Sequence, residues 1–342
     1  DVYKRQEDRF TNSPSSTLYR NLGGLRFEEA TAAAGLPDDV FGLGLAVADV
    51  NGDRRPDIFV GHSNRFFLSD GDGTYSEPAS LRETFTWQPL HNEDWPCGAV
   101  FGDLNRDGKL DLVLAIHGEP ARNRVYLNRG TDRGGVPRFE DVTGAAGLPD
   151  QWPRKCPHVE IQDFDNDGWP DLYFSAGWHD ANGTITPLIY RSLGGEAGGI
   201  PRFAAPIAPE ESTTVYFPAG PSADYDNDGR VDLFLVNWFA GNHSRLLRNT
   251  SQAGGWLTVR ICSAGKENHE GIGSKVTLRS GDALLGYREI TTGYGYASGQ
   301  IPLAHFGLGD AAAVDVEIRT PGGHVERRRG VAKNQTLTID IP

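Results

Sequence analysis

The chain has 342 residues with 10% aromatic residues, 43 glycines and 21 prolines, a composition typical of a turn-rich globular protein rather than a coiled coil or a disordered chain. Its formal net charge of −13 argues against nucleic acid as a partner, because phosphate binding relies on lysine and arginine. No apolar run approaches the roughly 18 residues that a membrane-spanning helix needs, so no membrane span is predicted.

Residue usage gives only a partial indication of the cellular compartment. The sequence has no methionine, which indicates that it does not begin at its own start codon, so a signal peptide is not part of this chain. Residues 1–16 fit no later pattern and are predicted to be a tail of unclear origin. The three cysteines, Cys97, Cys156 and Cys262, are too few for a disulfide framework and leave the compartment open.

A nine-residue acidic pattern, Asp-x-Asp/Asn-x-Asp-x-x-x-Asp, occurs four times, usually with glycine at position 6. Successive copies begin 54, 60 and 61 residues apart, and each lies between short runs rich in small, apolar and aromatic residues. These runs are too short for helices and predict β-strands, and a strand, turn and strand pattern accompanies them. Four strands in about 60 residues are typical of one blade of a β-propeller. The copies occupy residues 49–57, 103–111, 163–171 and 224–232.

The predicted fold is all-β, with a β-propeller over residues 17–255 and a small antiparallel β-domain over residues 256–342. Four acidic loops predict four blades, but a further hairpin pattern at residues 17–36 precedes them and the last repeat lacks a full outer hairpin. Two arrangements remain open. Either the N-terminal strands complete the last blade and close the ring, or the four blades are part of a larger propeller.

The acidic pattern indicates calcium, a hard cation that takes six to eight oxygen ligands from carboxylates, carbonyls and water. The last aspartate opens a β-strand rather than a helix, which rejects an EF-hand. Metal-free turns are the alternative, since Asp, Asn and Gly form turns readily. However, 14 carboxylates in four tight clusters would repel one another without a cation. The predicted ligands of about four calcium ions are Asp49, Asn51, Asp53, Asp57, Asp103, Asn105, Asp107, Asp111, Asp163, Asp165, Asp167, Asp171, Asp224, Asp226, Asp228 and Asp232.

The four predicted sites are not equivalent. The third and fourth loops have four aspartates each, whereas Asn51 and Asn105 replace the position 3 carboxylate in the first two. Arg54 stands at position 6 of the first loop, which costs about 1 kcal/mol if that residue must be left-handed. The first site is therefore predicted to be the weakest. The calcium ions are predicted to be structural, pinning the turn between the first two strands of each blade.

Residues 101–108, Phe-Gly-Asp-Leu-Asn-Arg-Asp-Gly, resemble the FG-GAP (VCBS) repeats of integrin-α-like propellers. The C-terminal part resembles the ASPIC/UnbV domain of the cartilage acidic protein family, and the two resemblances together cover nearly the whole chain from residue 17. They imply a secreted or cell-surface, calcium-binding, adhesion-type propeller, often with seven blades, and they fix neither a reaction nor a ligand. The C-terminal resemblance lies in residues 256–261, 271–279, 293–299, 305–310 and 334–339.

A ligand face is predicted on the rim opposite the acidic loops, where five of the seven tryptophans map. An aromatic platform with a few polar groups suits a glycan, a flat small molecule or a protein. Alternatively, these aromatic residues pack between blades. The histidines at 62, 117, 158 and 179 could also hold a transition metal, although no metal-ligand spacing supports it. The candidate ligand-binding residues are His62, Trp95, His117, Trp152, Trp178 and Trp238.

No nucleophile elbow, phosphate loop or Cys-x-x-Cys motif is present, which favours non-catalytic binding. A lyase, hydrolase or cyclase stays the alternative, because a propeller can supply acid and base groups from separate blades without a local motif. For such an enzyme the candidates are His158, His179, Tyr216 and Lys155. Two of the cysteines occupy equivalent places in successive blades, so Cys97 and Cys156 are predicted either to form a disulfide or to be two small buried residues.

Overall fold

The computed structural model describes residues 15–91, 94–241, 243–252, 254–265 and 268–342. Within these ranges the chain is almost entirely β-structure, with one short helix, α1 (Ala79–Thr84). The all-β prediction is therefore confirmed. The predicted tail at residues 1–16 lies almost wholly outside the described residues.

The first two strands form an isolated hairpin. β1 (Tyr19–Gly23) pairs with β2 (Arg26–Glu29), and every residue of both strands is exposed. Across the described residues neither strand pairs with any other strand. The arrangement in which N-terminal strands complete the last blade is therefore not the one that the structure adopts.

Four meandering antiparallel sheets follow, and in each the acidic loop joins the first strand to the second. Blade 1 contains β3 (Leu45–Ala48), β4 (Asp57–Val60), β5 (Arg65–Ser69) and β6 (Tyr75–Ser76). Blade 2 contains β7 (Pro96–Gly102), β8 (Asp111–Ile116), β9 (Arg124–Thr131) and β10 (Pro137–Asp141).

Blades 3 and 4 depart slightly from this plan. In blade 3 an additional strand pairs with the distal half of the long second strand, and blade 4 has only three strands. Blade 3 contains β11 (Val159–Gln162), β12 (Asp171–His179), β13 (Ile185–Ser192), β14 (Phe203–Ala204) and the additional β15 (Thr213–Tyr216). Blade 4 contains β16 (Ser222–Ala223), β17 (Asp232–Leu235) and β18 (Arg245–Leu247).

Small residues let the first strands of neighbouring blades approach closely. A Cβ atom on Gly44 of blade 1 would lie 1.7 Å from the Cys97 carbonyl oxygen of blade 2. Likewise, a Cβ atom on Gly98 would lie 2.6 Å from the carbonyl oxygen of Pro157, which precedes blade 3. Side chains of adjacent blades then share apolar cores, such as the one formed by Phe59 and Phe66 with Leu112. Burial between successive blades is what a propeller requires.

Residues from Gly255 onward form a second set of sheets, here called the C-terminal unit. Its core consists only of residues from within the unit. One sheet has the order β24 (Ala304–Gly309), β19 (Gly255–Ser263), β27 (Gln335–Ile341). The other has the order β21 (Ala283–Glu289), β20 (Lys275–Ser280), β25 (Ala313–Arg319), β26 (Val325–Ala332). A small hairpin is formed by β22 (Gly293–Tyr294) and β23 (Ser298–Gly299).

The C-terminal unit was predicted to be antiparallel, and one pair of strands departs from that prediction. Strands β19 and β27 run parallel over seven residues. The chain can do this because β20 to β26 lie between the two strands in sequence, so the connection is long enough for a parallel return.

The C-terminal unit packs against the propeller on the rim that carries the acidic loops. His305 Nε2 lies 3.0 Å from Asn166 Oδ1 of the third loop, and the Gly309 amide donates to the Asn166 carbonyl at 2.9 Å. The hairpin β22–β23 reaches further, between the first strands of the blades. There the Gly295 amide donates to the Ala99 carbonyl of β7 at 3.2 Å.

Candidate metal loops and the opposite rim

The carboxylate at position 1 of each acidic loop organises the turn that follows it. In the third loop, Asp163 accepts hydrogen bonds from the amides of Asp167 at 3.1 Å and Gly168 at 2.7 Å. The fourth loop repeats this with Asp224 and the amides at positions 5 and 6, at 3.0 and 2.8 Å. Four loops with one sequence pattern therefore share one hydrogen-bonded conformation.

The carboxylate at position 9 ties the loop to the third strand of its blade. Asp171 accepts from the Phe164 amide, at position 2 of its own loop, at 3.0 Å and from the Ser192 amide of β13 at 2.7 Å. In the second loop Asp111 makes the same two bonds, to the amides of Leu104 at 2.9 Å and Asn128 at 2.8 Å. The sequence predicted position 9 only as a metal ligand and gave no signal of this second role.

Two positions of every loop are left-handed. Position 6 has φ of 69° at Arg54, 78° at Gly108, 93° at Gly168 and 86° at Gly229, so the first loop does place an arginine where glycine is favoured. Position 4 is also left-handed, which the sequence analysis missed. Asparagine tolerates this region better than most residues, and two of the four loops use it there. The position 4 residues are Gly52, Arg106, Asn166 and Asn227, with φ of 82°, 56°, 52° and 59°.

Carboxylates converge most clearly in the third and fourth loops. Oxygen atoms of Asp163, Asp165 and Asp167 all lie within 4.8 Å of one another. The same holds for Asp224, Asp226 and Asp232. These donors are hard oxygen ligands at a spacing that one divalent cation could bridge, so both loops fit calcium.

In the first two loops the side chain at position 3 is an amide, and its nitrogen donates to a neighbouring oxygen. The Asn105 amide nitrogen donates to the Gly199 carbonyl at 3.0 Å, and that of Asn51 donates to Asp53 Oδ2 at 3.0 Å. The first loop also receives Lys275 of the C-terminal unit, whose Nζ lies 2.5 Å from Asp49 Oδ2. The first loop therefore differs from the third and fourth in the groups around its carboxylates, and the predicted order of calcium affinities stays a prediction.

Burial strongly disfavours the charged form of several loop carboxylates. Burial, with nearby aspartates adding to it, raises the pKa of Asp57, Asp103 and Asp171 to about 7. The pKa of Asp163 is raised well above its ordinary value for the same reasons. A divalent cation would remove this penalty by compensating the buried charges.

On the opposite rim, one group of predicted residues forms a stack. The rings of His62 and Trp95 meet edge-on with centroids 4.5 Å apart, and Trp95 stacks on His117 at 4.5 Å with a 5° interplanar angle. Burial, then Lys155 and His62, lower the pKa of His117 to about 4. The imidazole of His117 is therefore neutral at physiological pH and serves as a flat aromatic partner for Trp95.

A second group lies on blades 3 and 4. The Lys155 ammonium lies 4.8 Å from the centre of the Tyr216 ring, and Tyr216 meets Phe239 edge-on at 5.7 Å. Trp238, adjacent to Phe239, is 58% exposed. This group combines a buried lysine, a half-buried phenol and an exposed indole within one region of the rim.

Other predicted rim residues lie inside the protein. Trp178 is 5% exposed in the core between blades 2 and 3, where its ring meets that of half-buried Trp152 at 5.2 Å. For these two residues the structure shows packing between blades, the alternative raised from the sequence. His179, at the end of the same strand, is half-buried.

His158 is fully buried and therefore does not present an acid or base group at the rim. Its Nδ1 accepts from the Tyr296 amide at 3.0 Å, and its Nε2 lies 2.8 Å from Glu160 Oε1. Because Nδ1 is an acceptor, the proton of the neutral ring is on Nε2 and is donated to Glu160. Glu160 Oε2 in turn accepts from Ser222 at 2.8 Å. This buried network joins blade 3 to blade 4 and to the C-terminal unit.

The cysteines that were predicted either to pair or to be buried are free. Cys97 and Cys156 are both fully buried, and Cys262 is partly exposed. Burial raises the pKa of both the Cys97 and the Cys156 thiol, so neither is a reactive thiolate.

The chain matches two known protein families. Residues 61–114 and 103–174 match the FG-GAP-like repeat, and residues 264–342 match ASPIC and UnbV. Both matches confirm the resemblances inferred from the sequence. Within the described residues, no helix is long and apolar enough to cross a membrane.

Several characterised proteins are similar to this chain. Human cartilage acidic protein 1 is 28% identical over 334 residues, covering 96% of this chain and 48% of the human protein. Its mouse counterpart is 27% identical over 334 residues, covering 96% of this chain and 49% of the mouse protein. Mouse integrin alpha-IIb is 30% identical over 155 residues, covering 40% of this chain and 15% of the integrin. The chain thus spans about half the length of the cartilage acidic proteins it matches.

Proposed function

Because this chain is an FG-GAP-like repeat protein with a C-terminal ASPIC and UnbV domain, we propose that it is a calcium-binding, adhesion-type module. Calcium binds the acidic loops, most strongly the third and fourth, and has a structural role. A protein, glycan or small-molecule ligand binds the opposite rim. The module acts outside the cell or on its surface, which its similarity to an integrin alpha chain and to cartilage acidic protein supports.

The convergence of three carboxylates in each of two loops carries the calcium proposal. Without a cation, each cluster would hold negative charges against one another, and at least one carboxylate of each cluster is buried. A calcium ion would bind these oxygens together with main-chain carbonyls and water. In the third loop, Asp163, Asp165 and Asp167 would supply the side-chain ligands.

Calcium at these positions would stabilise the blade through the loop's own hydrogen bonds. The position 1 carboxylate holds the amides of positions 5 and 6, and the position 9 carboxylate holds the third strand. A cation that keeps these groups ionised strengthens them as hydrogen-bond acceptors. The expected effect is a more rigid turn at the acidic rim of each occupied blade.

Calorimetric titration and thermal unfolding test the calcium proposal. Calcium is expected to raise the melting temperature of the chain relative to EDTA, and Asp163→Asn to reduce that rise. Asp132→Asn is the control, because Asp132 lies outside the nine-residue loops, in the exposed β9–β10 turn, where its Oδ1 accepts from the amides of Gly134 and Val136. A chain that shows neither a heat of binding nor a calcium-dependent melting shift would refute the proposal.

The ligand face is supported by the exposed aromatic residues of the rim opposite the loops. Trp238 is 58% exposed, and half-buried Tyr216 lies in the same region with the buried Lys155 ammonium against its ring. Aromatic rings next to a cation are typical of sites that bind sugars or protein hot spots. The acidic rim, in contrast, is covered by the C-terminal unit.

Binding to a defined glycan array and to plates coated with extracellular-matrix proteins tests the ligand face. Trp238→Ala is expected to weaken any binding that the chain shows at least tenfold. Tyr19→Ala is the matched control, since Tyr19 is an aromatic residue of similar exposure, 60%, on the N-terminal hairpin. Equal losses in the two variants would count against the proposed face.

We also propose that residues 17–255 and 256–342 are separate domains. The apolar core of the C-terminal unit is made only of residues 257–341, which supports this division. Limited proteolysis is expected to cut first between β18 and β19. Cleavage inside β19 to β27 at an equal rate would contradict it.

A further inference from the structure

We infer that the first acidic loop holds the ammonium group of Lys275 in place of a metal ion, and that the C-terminal unit docks on blade 1 through this contact. The inference rests on the proposed binding of calcium by the other loops. It makes the first loop an interface between two parts of the chain rather than a fourth metal site.

The contact is direct and buried. Lys275 Nζ lies 2.5 Å from Asp49 Oδ2 and donates to the Asp49 carbonyl oxygen at 3.2 Å. The two side chains are only 13% and 5% exposed. Asp49 is the position 1 residue of the loop, whose carboxylate accepts from the amides that follow it. The ammonium therefore lies on the carboxylate that a metal ion would need.

A second residue of the C-terminal unit completes the contact. Glu289 lies directly opposite Lys275 in the antiparallel pair β20–β21, so one sheet presents both side chains. The Asp49 amide donates to Glu289 Oε2 at 3.1 Å and to Oε1 at 3.3 Å. The amide, the carbonyl and the carboxylate of Asp49 are thus all bound by one cross-strand pair.

The other three loops lack this feature. Among the described residues, no ion pair within 4.0 Å reaches the position 1 carboxylates Asp103, Asp163 and Asp224. Basic side chains near those loops pair with the carboxylates at positions 3 and 5, as Arg191 of β13 does with Asp165. An exposed partner of position 3 or 5 can move into solvent when a cation binds. Buried Lys275 cannot do so unless the sheet that carries it separates from blade 1.

The net charge of the loop residues also distinguishes the first loop from the third. Residues 49–57 contain three aspartates and two arginines, a net −1 that residues 103–111 share, and Lys275 and Glu289 together add no net charge to the first loop. Residues 163–171 contain four aspartates and no basic residue, a net −4. Calcium requires several anionic oxygens to offset its dehydration, and in the first loop one of only three carboxylates is already paired with Lys275.

Equilibrium dialysis with radioactive calcium on the complete chain tests the metal part of the inference. Asp53→Asn and Asp167→Asn change the same loop position, position 5, in the first and third loops. Asp167→Asn is expected to remove one bound ion per chain, while Asp53→Asn removes none. Loss of one ion in Asp53→Asn as well would overturn the inference. If the unchanged chain binds no calcium at all, the proposed function fails, and the inference is then decided by unfolding in EDTA.

Thermal unfolding in EDTA tests the docking part without any metal. Lys275→Met is expected to lower the melting temperature by roughly 5 °C or more, because it leaves buried Asp49 and Glu289 without their cation. Lys109→Met is the matched control, since Lys109 pairs with Asp107 of the second loop and is 40% exposed. Asp49→Asn in the Lys275→Met background is expected to add little further loss. Strictly additive losses, or an equal loss in Lys109→Met, would overturn the inference.

Discussion

Replacing Asn128 with alanine tests whether a buried side-chain hydrogen bond joins neighbouring blades. Asn128 lies in β9 and is 1% exposed. Its amide nitrogen donates to the Val50 carbonyl of the preceding blade at 2.9 Å and to the Leu110 carbonyl at 3.3 Å. Its Oδ1 accepts from the Gly130 amide at 2.9 Å. The side chain therefore makes one bond between blades and two within blade 2.

The expected loss follows from those three bonds. A hydrogen bond contributes about 0.5–1.5 kcal/mol net, and leaving a buried carbonyl unsatisfied costs about 1–3 kcal/mol. Asn128→Ala removes all three bonds and leaves the carbonyls of two buried residues, Val50 and Leu110, without this donor. We expect the free energy of unfolding to fall by about 2–4 kcal/mol. Asn128→Asp keeps the acceptor but places a charge against two carbonyls, so its loss is expected to be larger.

The chain contains a matched control for this substitution. Asn21 occupies the equivalent place in the N-terminal hairpin, where its Oδ1 accepts from the Gly23 amide at 2.8 Å. Asn21 is exposed and makes the local bond alone. Asn21→Ala is therefore expected to cost about 0.5 kcal/mol or less, which isolates the contribution of the buried bonds of Asn128.

Two measurements check this prediction. Urea unfolding followed by tryptophan fluorescence gives the change in unfolding free energy for each variant. Hydrogen exchange read by mass spectrometry should show faster exchange in peptides covering residues 45–60 and 110–130 in Asn128→Ala only. If Asn128→Ala lowers the free energy of unfolding by within about 0.5 kcal/mol of the loss in Asn21→Ala, the prediction is refuted, because the buried hydrogen bonds would then contribute nothing.

Three further predictions concern the loops and the thiols. Arg54→Gly is expected to raise the free energy of unfolding by up to about 1 kcal/mol, because the residue has φ of 69°, and urea unfolding checks it. In EDTA, stability is expected to fall as pH rises from about 4 to 7.5, because the folded pKa of Asp103 and Asp171 is raised to about 7 and the folded state binds the extra protons below it. Melting curves across pH check this, and excess calcium should abolish the slope. Ellman's reagent should label Cys262 quickly and the two buried thiols only after unfolding, and Cys262→Ser should remove the fast phase.

The blades could be predicted from the sequence because their signals are local. Each acidic loop and its two flanking strands span only 14 to 21 residues, and the apolar runs after Asp57, Asp111, Asp171 and Asp232 are strands in the structure. The left-handed position 6 follows from glycine usage in the same way. Position 4 was missed because Arg106 gives no hint of φ at 56°.

The contacts between distant parts of the chain could not be predicted. Lys275 and Asp49 are 226 residues apart, and His158 and Tyr296 are 138 residues apart. No repeat or spacing relates such pairs, because they meet only when the C-terminal unit packs on the propeller. His158 was therefore taken from the sequence as a rim residue, although its ring is enclosed by Tyr296 and Glu160.

The position of the hairpin β22–β23 restricts how a ligand could reach the protein. The Gly295 amide bonds to β7, and Tyr294 is 9% exposed within the core shared by blades 2 and 3. The space between the first strands is thus filled from the acidic rim by the protein's own backbone. A ligand at the opposite rim would therefore lie on the surface formed by the loops after the second strands, where Trp238 is exposed, rather than enter a channel. An extended peptide or glycan fits such a surface better than a small substrate that must be enclosed, which favours binding over catalysis for this rim.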